Sequence, residues 1–376
     1  MLVGVAGGQS GMIMPALLGA FAASRAYSIS QTSVLGSVEF TGTTVALLLA
    51  GLVIARVPRR RLILLGLSLV VAGELLSLRV GSFSVLLAGR FTAGVGECLL
   101  LTAMTTTIAS MASPERMFGL YFAVDLGICT VFFGALPALT AAGGVDGILY
   151  VVLAYCVLVG LVSGFIPTAV PTLQVAADPR MPRTSSGRSL GLLGLVGSFI
   201  LFTGAGTVWP SIAQIGTAGG LDTSVISHAL ATASLGGIAS GLLVSWYGTR
   251  HGRSGPILVA CFGIAAAMIA LVMPFDGHLF TLVVVTFLFL LVFVAPYFMG
   301  LLAELDTTGS FASISVALQP AGLALGQLLS AAAAVQGNRR IPLLGGVFLV
   351  VLSAALMVVC SRLAIRRLSG ITAQHV

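Results

Sequence analysis

Charge is scarce in this chain. Of its 376 residues only 8% are charged, while 58% are hydrophobic; an ordinary soluble domain carries about 25% charged residues. So few charges cannot clothe a water-soluble globule of this length. That excludes a cytosolic enzyme, a disordered chain and a nucleic-acid binder. Lysine is absent, so all 18 basic residues are arginine. Without lysine there is no phosphate loop of the Gly-x-x-x-x-Gly-Lys type, and ATP is not the direct driver within this chain. Cys98, Cys129, Cys156, Cys261 and Cys360 lie singly inside apolar runs. They have neither metal spacing nor a disulfide framework and read as small apolar filler, so no metal and no cofactor are expected. The net charge of +7 comes from arginines in short loops between apolar runs, a membrane topology signal rather than a basic groove.

What the chain has instead is apolar length. A bilayer crossing takes about 20 mainly apolar residues, and mean hydropathy is +1.12. Twelve such runs are expected near 2–23, 32–54, 62–79, 84–107, 117–139, 146–168, 190–213, 224–247, 255–274, 279–303, 312–335 and 341–365. None alternates as a membrane strand would, so the expected fold class is an all-α membrane protein. The first run lacks a basic leader and contains Pro15, so it is expected to stay as a span rather than be cleaved. With the N-terminus inside, thirteen arginines fall in inner segments and four in outer ones, a positive-inside bias that puts both termini in the cytoplasm.

The longest polar stretch is Pro171–Ser189, with Asp178, Pro179, Arg180 and Pro182, a linker composition. Six runs lie on each side, giving two bundles at 1–168 and 190–368 joined by a linker at 169–189. A marker repeats in the two halves. Gly51, Arg56, Pro58, Arg59, Arg60 and Arg61 follow the second run, and Gly241, Gly248, Arg250 and Arg253 follow the eighth.

On these residues the chain resembles the major facilitator superfamily. Its loop signature, Gly-x-x-x-Asp-Arg-x-Gly-Arg-Arg, is matched by Gly51, Arg56, Arg59 and Arg60, with Gly241 and Gly248 in the weaker second copy. A second signature, Arg-x-x-x-Gly-x-Gly in span four, is met by Arg90, Gly94 and Gly96. The signature Asp is replaced by Ala55 and Ser245, and the signature Gly by Pro58. The resemblance implies two pseudo-symmetric six-helix bundles and a monomer. It implies a cavity lined by spans one, four, seven and ten, and a cytoplasmic lock that Ala55 weakens or remakes. Glu304 and Asp306, at the inner end of span ten, are candidates for that lock or for a helix cap. Gly127, Gly134 and Pro137 only loosely echo the family's antiporter motif, so transport direction stays open.

Ionisable groups inside a span are costly and are functional candidates. At 1.5 Å per residue, Glu39 lies ~10 Å and Arg90 ~9 Å from the outer side, deep enough alike to pair. Glu97 follows Arg90 by two turns and shares its face, near mid-bilayer. Asp125 lies ~12 Å from the inner side, close enough in depth to share a site with Glu97. Two carboxyls in one dry cavity favour proton uptake by at least one. Glu97 is the expected proton carrier, with Asp125, Glu39 and Arg90 beside it. Glu74, ~18 Å from the inner side, is expected to hydrogen-bond structurally, since the family's third span lies away from the cavity. His228, early in span eight, is expected at the surface or a gate.

Spans one, seven and ten carry helix-weakening residues such as Gly7, Gly8, Pro15, Gly204, Pro210 and Pro296, and transporters place binding sites at such breaks. Expected solute contacts are Gln9, Arg90, Trp209, Gln214 and Tyr297, with Ser315 and Gln319 one turn apart. Arg90 would suit an organic acid, and Glu97 with Asp125 a lipophilic cation. The expected function is proton-coupled movement of a small organic solute across a bacterial inner membrane. A transport-inactive sensor and an uncoupled uniporter are the alternatives, and an enzyme is not expected.

Overall fold

The structure, a computed structural model, describes the chain apart from residues 54–56, 79–81, 110–113, 164–184, 249–251, 306–309, 336–339 and 374–376. Among the described residues it is helical, with no strand. The helices are α1 (Leu2–Arg25), α2 (Ile29–Val53), α3 (Arg59–Leu78), α4 (Phe83–Ala109) and α5 (Pro114–Ser163). Then follow α6 (Ser185–Gly206), a 3-10 turn (Trp209–Ser211), α7 (Ile212–Ala218), α8 (Thr223–Tyr247), α9 (Ser254–Ala270), α10 (Gly277–Leu305), α11 (Ser310–Val335) and α12 (Arg340–Ala373).

The surface is inverted relative to a soluble protein. Leu48, Val131, Leu161, Leu242, Val259 and Phe348 are all exposed, whereas Glu39, Glu74, Arg90, Glu97 and Asp125 are buried. Apolar exposure on this scale fits a lipid solvent. Hydroxyls within the helices are satisfied locally: Thr41, Thr44, Thr92 and Thr130 each donate to the carbonyl four residues back. That is how a polar side chain is carried where no water can serve it.

Among the described residues, nine helical stretches are long and apolar enough to cross a membrane, or ten if the bent α1 is one span. Three places account for the difference from the twelve expected. The pieces Leu2–Gln9 and Gly11–Arg25 of α1 meet at 47°. The expected spans at 117–139 and 146–168 are joined in α5, which leaves helical geometry at Gly144 (φ 58°, ψ −136°). Only glycine takes that conformation freely, and a Cβ there would also meet Ser24 Oγ. The third is Ser254–Ala270, a shorter apolar helix. The expected break in span seven is present: α6 ends at Gly206, and Pro210 sits in the 3-10 turn ahead of α7.

Packing repeats between the two halves. In the first, α4 packs on α1, α2 and α3, and α1 also on α5; in the second, α10 packs on α6, α8 and α9, and α6 also on α11 and α12. Between halves the most extensive packing is α2 with α11 and α5 with α8, and α1 also meets the 3-10 turn and α7. At one end of the first half, the Arg25 guanidinium bonds Asp146 at 2.7 Å and the Ser77 carbonyl at 2.8 Å, and Ser24 Oγ accepts from Val145 N–H at 3.0 Å. The end of α1 thus clamps the reversal within α5 to the end of α3.

One glycine matters directly for the site. A Cβ on Gly94 would collide with the Glu39 backbone carbonyl, so Gly94 sets how closely α4 approaches α2. Gly94→Ala is expected to destabilise the protein by about 1–3 kcal/mol, the usual cost of overpacking. Thermal unfolding of the detergent-solubilised variant checks this.

Candidate functional site: a buried arginine among three carboxyls

Arg90, on α4, is 1% exposed and stands at the centre of the buried charges. Its Nη2 donates to Glu74 Oε1 at 2.6 Å, and its Nη1 lies 3.5 Å from Glu74 Oε2. Its Nε is 3.2 Å from Glu39 Oε2. Glu97, two turns along the same helix face, also interacts electrostatically with Arg90, Glu39 and Glu74. Three carboxyls thus surround one guanidinium, and all four side chains are at most 2% exposed. Fully ionised, the cluster would carry two uncompensated negative charges out of reach of solvent, an arrangement that strongly disfavours full ionisation.

The groups are not equally held. Glu74 takes the planar fork, the strongest geometry a guanidinium offers. Glu97 Oε2 is buried without a hydrogen-bond partner, and so is Gln9 Nε2 on α1. Gln9 is nonetheless the side chain placed to act on Glu97 as a hydrogen-bond donor. These side chains, with Ile13, Leu149 and Val152 among others, line a cavity of about 10 Å³. That volume is near the lower limit for a single water.

Several expectations from the sequence are met in place. Glu39 and Arg90 pair as their equal depth implies, and Glu97 faces the same cluster. Glu74 is a correction: it is Arg90's shortest contact rather than a residue set apart from the site. The shared site for Glu97 and Asp125 is also corrected. α1 lies between them, with Gly7 against the α4 backbone at Glu97 and Leu101, and Gly8 facing Tyr121 and Asp125. Asp125 instead interacts with Tyr121, Cys129 and Tyr155. Its Oδ1 is buried with no hydrogen-bond partner among the described residues.

The expected solute contacts are dispersed. Trp209 Nε1 donates to the Gly11 carbonyl at 2.8 Å, and Gln214 Nε2 to Thr32 Oγ1 at 2.9 Å. Both bonds join the second half to the first. Trp209 also stacks on Phe287, ring centroids 6.3 Å apart. Tyr297 donates to the Gly248 carbonyl at 3.1 Å, and Ser315 meets Ser198 at 3.5 Å. Gln319 is half-buried on α11. Gln327 donates to the Gly206 carbonyl at 2.7 Å and so anchors the break after α6. Trp209→Phe keeps a stacking ring but removes the donor to Gly11. It is expected to cost about 0.5–1.5 kcal/mol, the net worth of a hydrogen bond, read as a lower unfolding temperature.

Of the loop marker, Ala55, Arg56 and Asp306 lie outside the described residues. Gly51 is in the last turn of α2 and Glu304 in the last turn of α10. Pro58 directly precedes α3, which opens with Arg59 and the exposed Arg60. In the second copy, Ser245 Oγ donates to the Gly241 carbonyl at 3.0 Å, and Gly248 ends α8 with φ 56°. His228 is exposed on α8. All five cysteines are free and buried.

The sequence model of the Major Facilitator Superfamily matches residues 1–180 of the chain. That stretch contains the whole Arg90 cluster and Asp125. No curated protein matches the chain.

Proposed function

We propose, on the match of residues 1–180 to the Major Facilitator Superfamily, that the chain is a multi-pass membrane transporter of that family and moves a small organic solute by alternating access, coupled to protons through Glu97. Members of this family are generally transporters rather than enzymes. The observation that carries the reading is a single buried guanidinium among three carboxyls, of which Glu74 and Glu39 pair with it at 2.6 and 3.2 Å, while Glu97 stands outside ion-pair distance.

The coupling follows from charge balance. Glu74 and Glu39 hold Arg90 and use its charge. Glu97 is left in a nearly dry cavity and takes a proton when the cavity opens to one side. Protonated, it offers an O–H donor to a solute or to Gln9, and releases the proton when opened to the other side. Asp125, on the far side of α1, is a second proton-binding carboxyl along the same half.

The topology proposed is twelve crossings with both termini cytoplasmic. It follows if the bent α1 is one span, α5 is two spans divided at Gly144, and Ser254–Ala270 also crosses. The two six-helix bundles, 1–168 and 190–368, rock about α2–α11 and α5–α8. The bonds Trp209–Gly11 and Gln214–Thr32 break when the halves part. The membrane proposed is a bacterial inner membrane, with the positive-inside bias setting the orientation within it. Gln9, Arg90, Gln319, Ser315 and Tyr297, with Trp209 and Gln214 once released, are the proposed solute contacts. Gly51, Arg56, Arg59, Arg60, Gly241, Gly248, Glu304 and Asp306 form the cytoplasmic gate.

The test is transport by purified protein in liposomes across a panel of organic acids, sugars, amino acids and lipophilic cations. Uptake or efflux of one class that is driven by an imposed pH gradient and collapses with a protonophore supports the reading. Transport indifferent to the pH gradient would replace it with uniport.

A further inference from the structure

A second cavity, of about 760 Å³, shares no lining residue with the Arg90 cluster. It is lined by the start of α2 and the residue before it, the α9–α10 connection, the end of α11 and the start of α12. Its volume is in the range of sites that enclose small molecules, roughly 300–1,000 Å³.

Its lining separates into three chemistries. Thr207, Ser211 and Gln214, around the break between α6 and α7, give a polar floor, and Ser330 of α11 adds a hydroxyl. Leu271, Met273 and Phe275, from the α9–α10 connection, give an apolar wall with Leu343 of α12. Arg340, at the start of α12, is exposed and brings a positive charge, and none of the described lining residues is a carboxylate.

The floor has an unmet need. Gln214 is 6% exposed, and its Nε2 is committed to Thr32. Its Oε1 is buried with no hydrogen-bond partner among the described residues. A buried amide oxygen in that state calls for a donor. An occupant that answers all three parts of the lining has a negative group for Arg340, a hydroxyl or N–H for Gln214, and an apolar part for Leu271 and Phe275.

We propose that this cavity is a binding site, separate from the charge cluster, for an organic anion that carries hydroxyl or N–H donors beside an apolar part. A dissolved organic acid has this chemistry, and so does the headgroup of phosphatidylglycerol with the start of its chains. The site does not depend on proton coupling.

Full-length protein in phosphatidylcholine nanodiscs, titrated with 4-methylumbelliferyl β-D-glucuronide and with the uncharged glucoside, tests the first source by fluorescence anisotropy. The glucuronide is expected to bind at least ~10-fold tighter than the glucoside, and to lose at least ~10-fold in Arg340→Gln and in Gln214→Met, as for a charge-assisted contact or a lost acceptor. Arg340 is exposed, so its replacement leaves no buried cavity. The second source is tested by native mass spectrometry after reconstitution in equal phosphatidylcholine and phosphatidylglycerol. Retention of phosphatidylglycerol by wild type, reduced in both variants, assigns the site to lipid. Both assays are read at equilibrium with no pH gradient imposed, so a failure of proton coupling would be seen separately. Absence of both glucuronide binding and phosphatidylglycerol retention overturns the proposal. Binding or retention that neither variant changes overturns it as well.

Discussion

Glu97→Gln is expected to abolish accumulation of solute against its gradient while leaving solute exchange across the membrane intact. Glutamine keeps the size and hydrogen-bonding reach of a protonated glutamate but cannot release a proton. The variant is therefore fixed in the neutral form that suits the buried cavity. It should fold at least as well as wild type, because it removes one of three negative groups competing for Arg90. Under an imposed pH gradient, accumulation should fall at least ~10-fold, the loss expected when the group that must titrate no longer can. Counterflow, which needs only the loaded protein to reorient, should persist. Loss of both activities would make Glu97 a solute contact, and retention of both would remove it from the mechanism.

Arg90→Gln is expected to have the largest effect on stability. The guanidinium holds Glu74 through Nη2 at 2.6 Å and Glu39 through Nε at 3.2 Å, and it offsets Glu97. Removing one partner of a buried ion pair typically costs about 3–5 kcal/mol, because the remaining charge is left uncompensated. Here more than one carboxyl is left, so poor expression and a markedly lower unfolding temperature are expected. Arg90→Lys should recover only part of the loss. A point-like ammonium cannot hold Glu74 with a fork and still present a donor to Glu39. The double change Arg90→Met with Glu74→Gln should recover more stability than Arg90→Gln alone, since the most tightly held carboxyl is neutralised together with its cation. Thermal unfolding of the set separates these cases. Equal stability of wild type and Arg90→Gln would mean the cluster is open to water.

Helical class and membrane character were legible because they rest on averages over long apolar runs. The Glu39–Arg90 pair was legible because depth along a helix follows from residue count, and helices α2 and α4 make contact. The same arithmetic contained Glu74. A depth of ~18 Å from one side and ~9 Å for Arg90 from the other add to nearly the ~30 Å hydrocarbon thickness, and the short α3–α4 connection makes those helices antiparallel neighbours. Family habit, which sets the third span aside, obscured it. The Glu97–Asp125 site failed for a different reason. Depth does not specify azimuth, and α1 inserts between the two carboxyls at Gly7 and Gly8. The roles of Trp209 and Gln214 as ties between halves were beyond the sequence, because their partners Gly11 and Thr32 are 198 and 182 residues away. The reversal at Gly144 was visible as a gap between two runs that holds the Gly143-Gly144 pair, a turn marker, but the pair does not say which glycine takes the positive φ.

The most direct test of proton-coupled operation through Glu97 is proton movement itself. Wild type and Glu97→Gln, reconstituted with a trapped pH-sensitive dye, would be exposed to the solute identified by the panel with no gradient imposed. Solute addition is expected to change the internal pH with wild type and leave it unchanged with Glu97→Gln, while labelled solute still exchanges through both. An equal pH change with both proteins would contradict the assignment of Glu97.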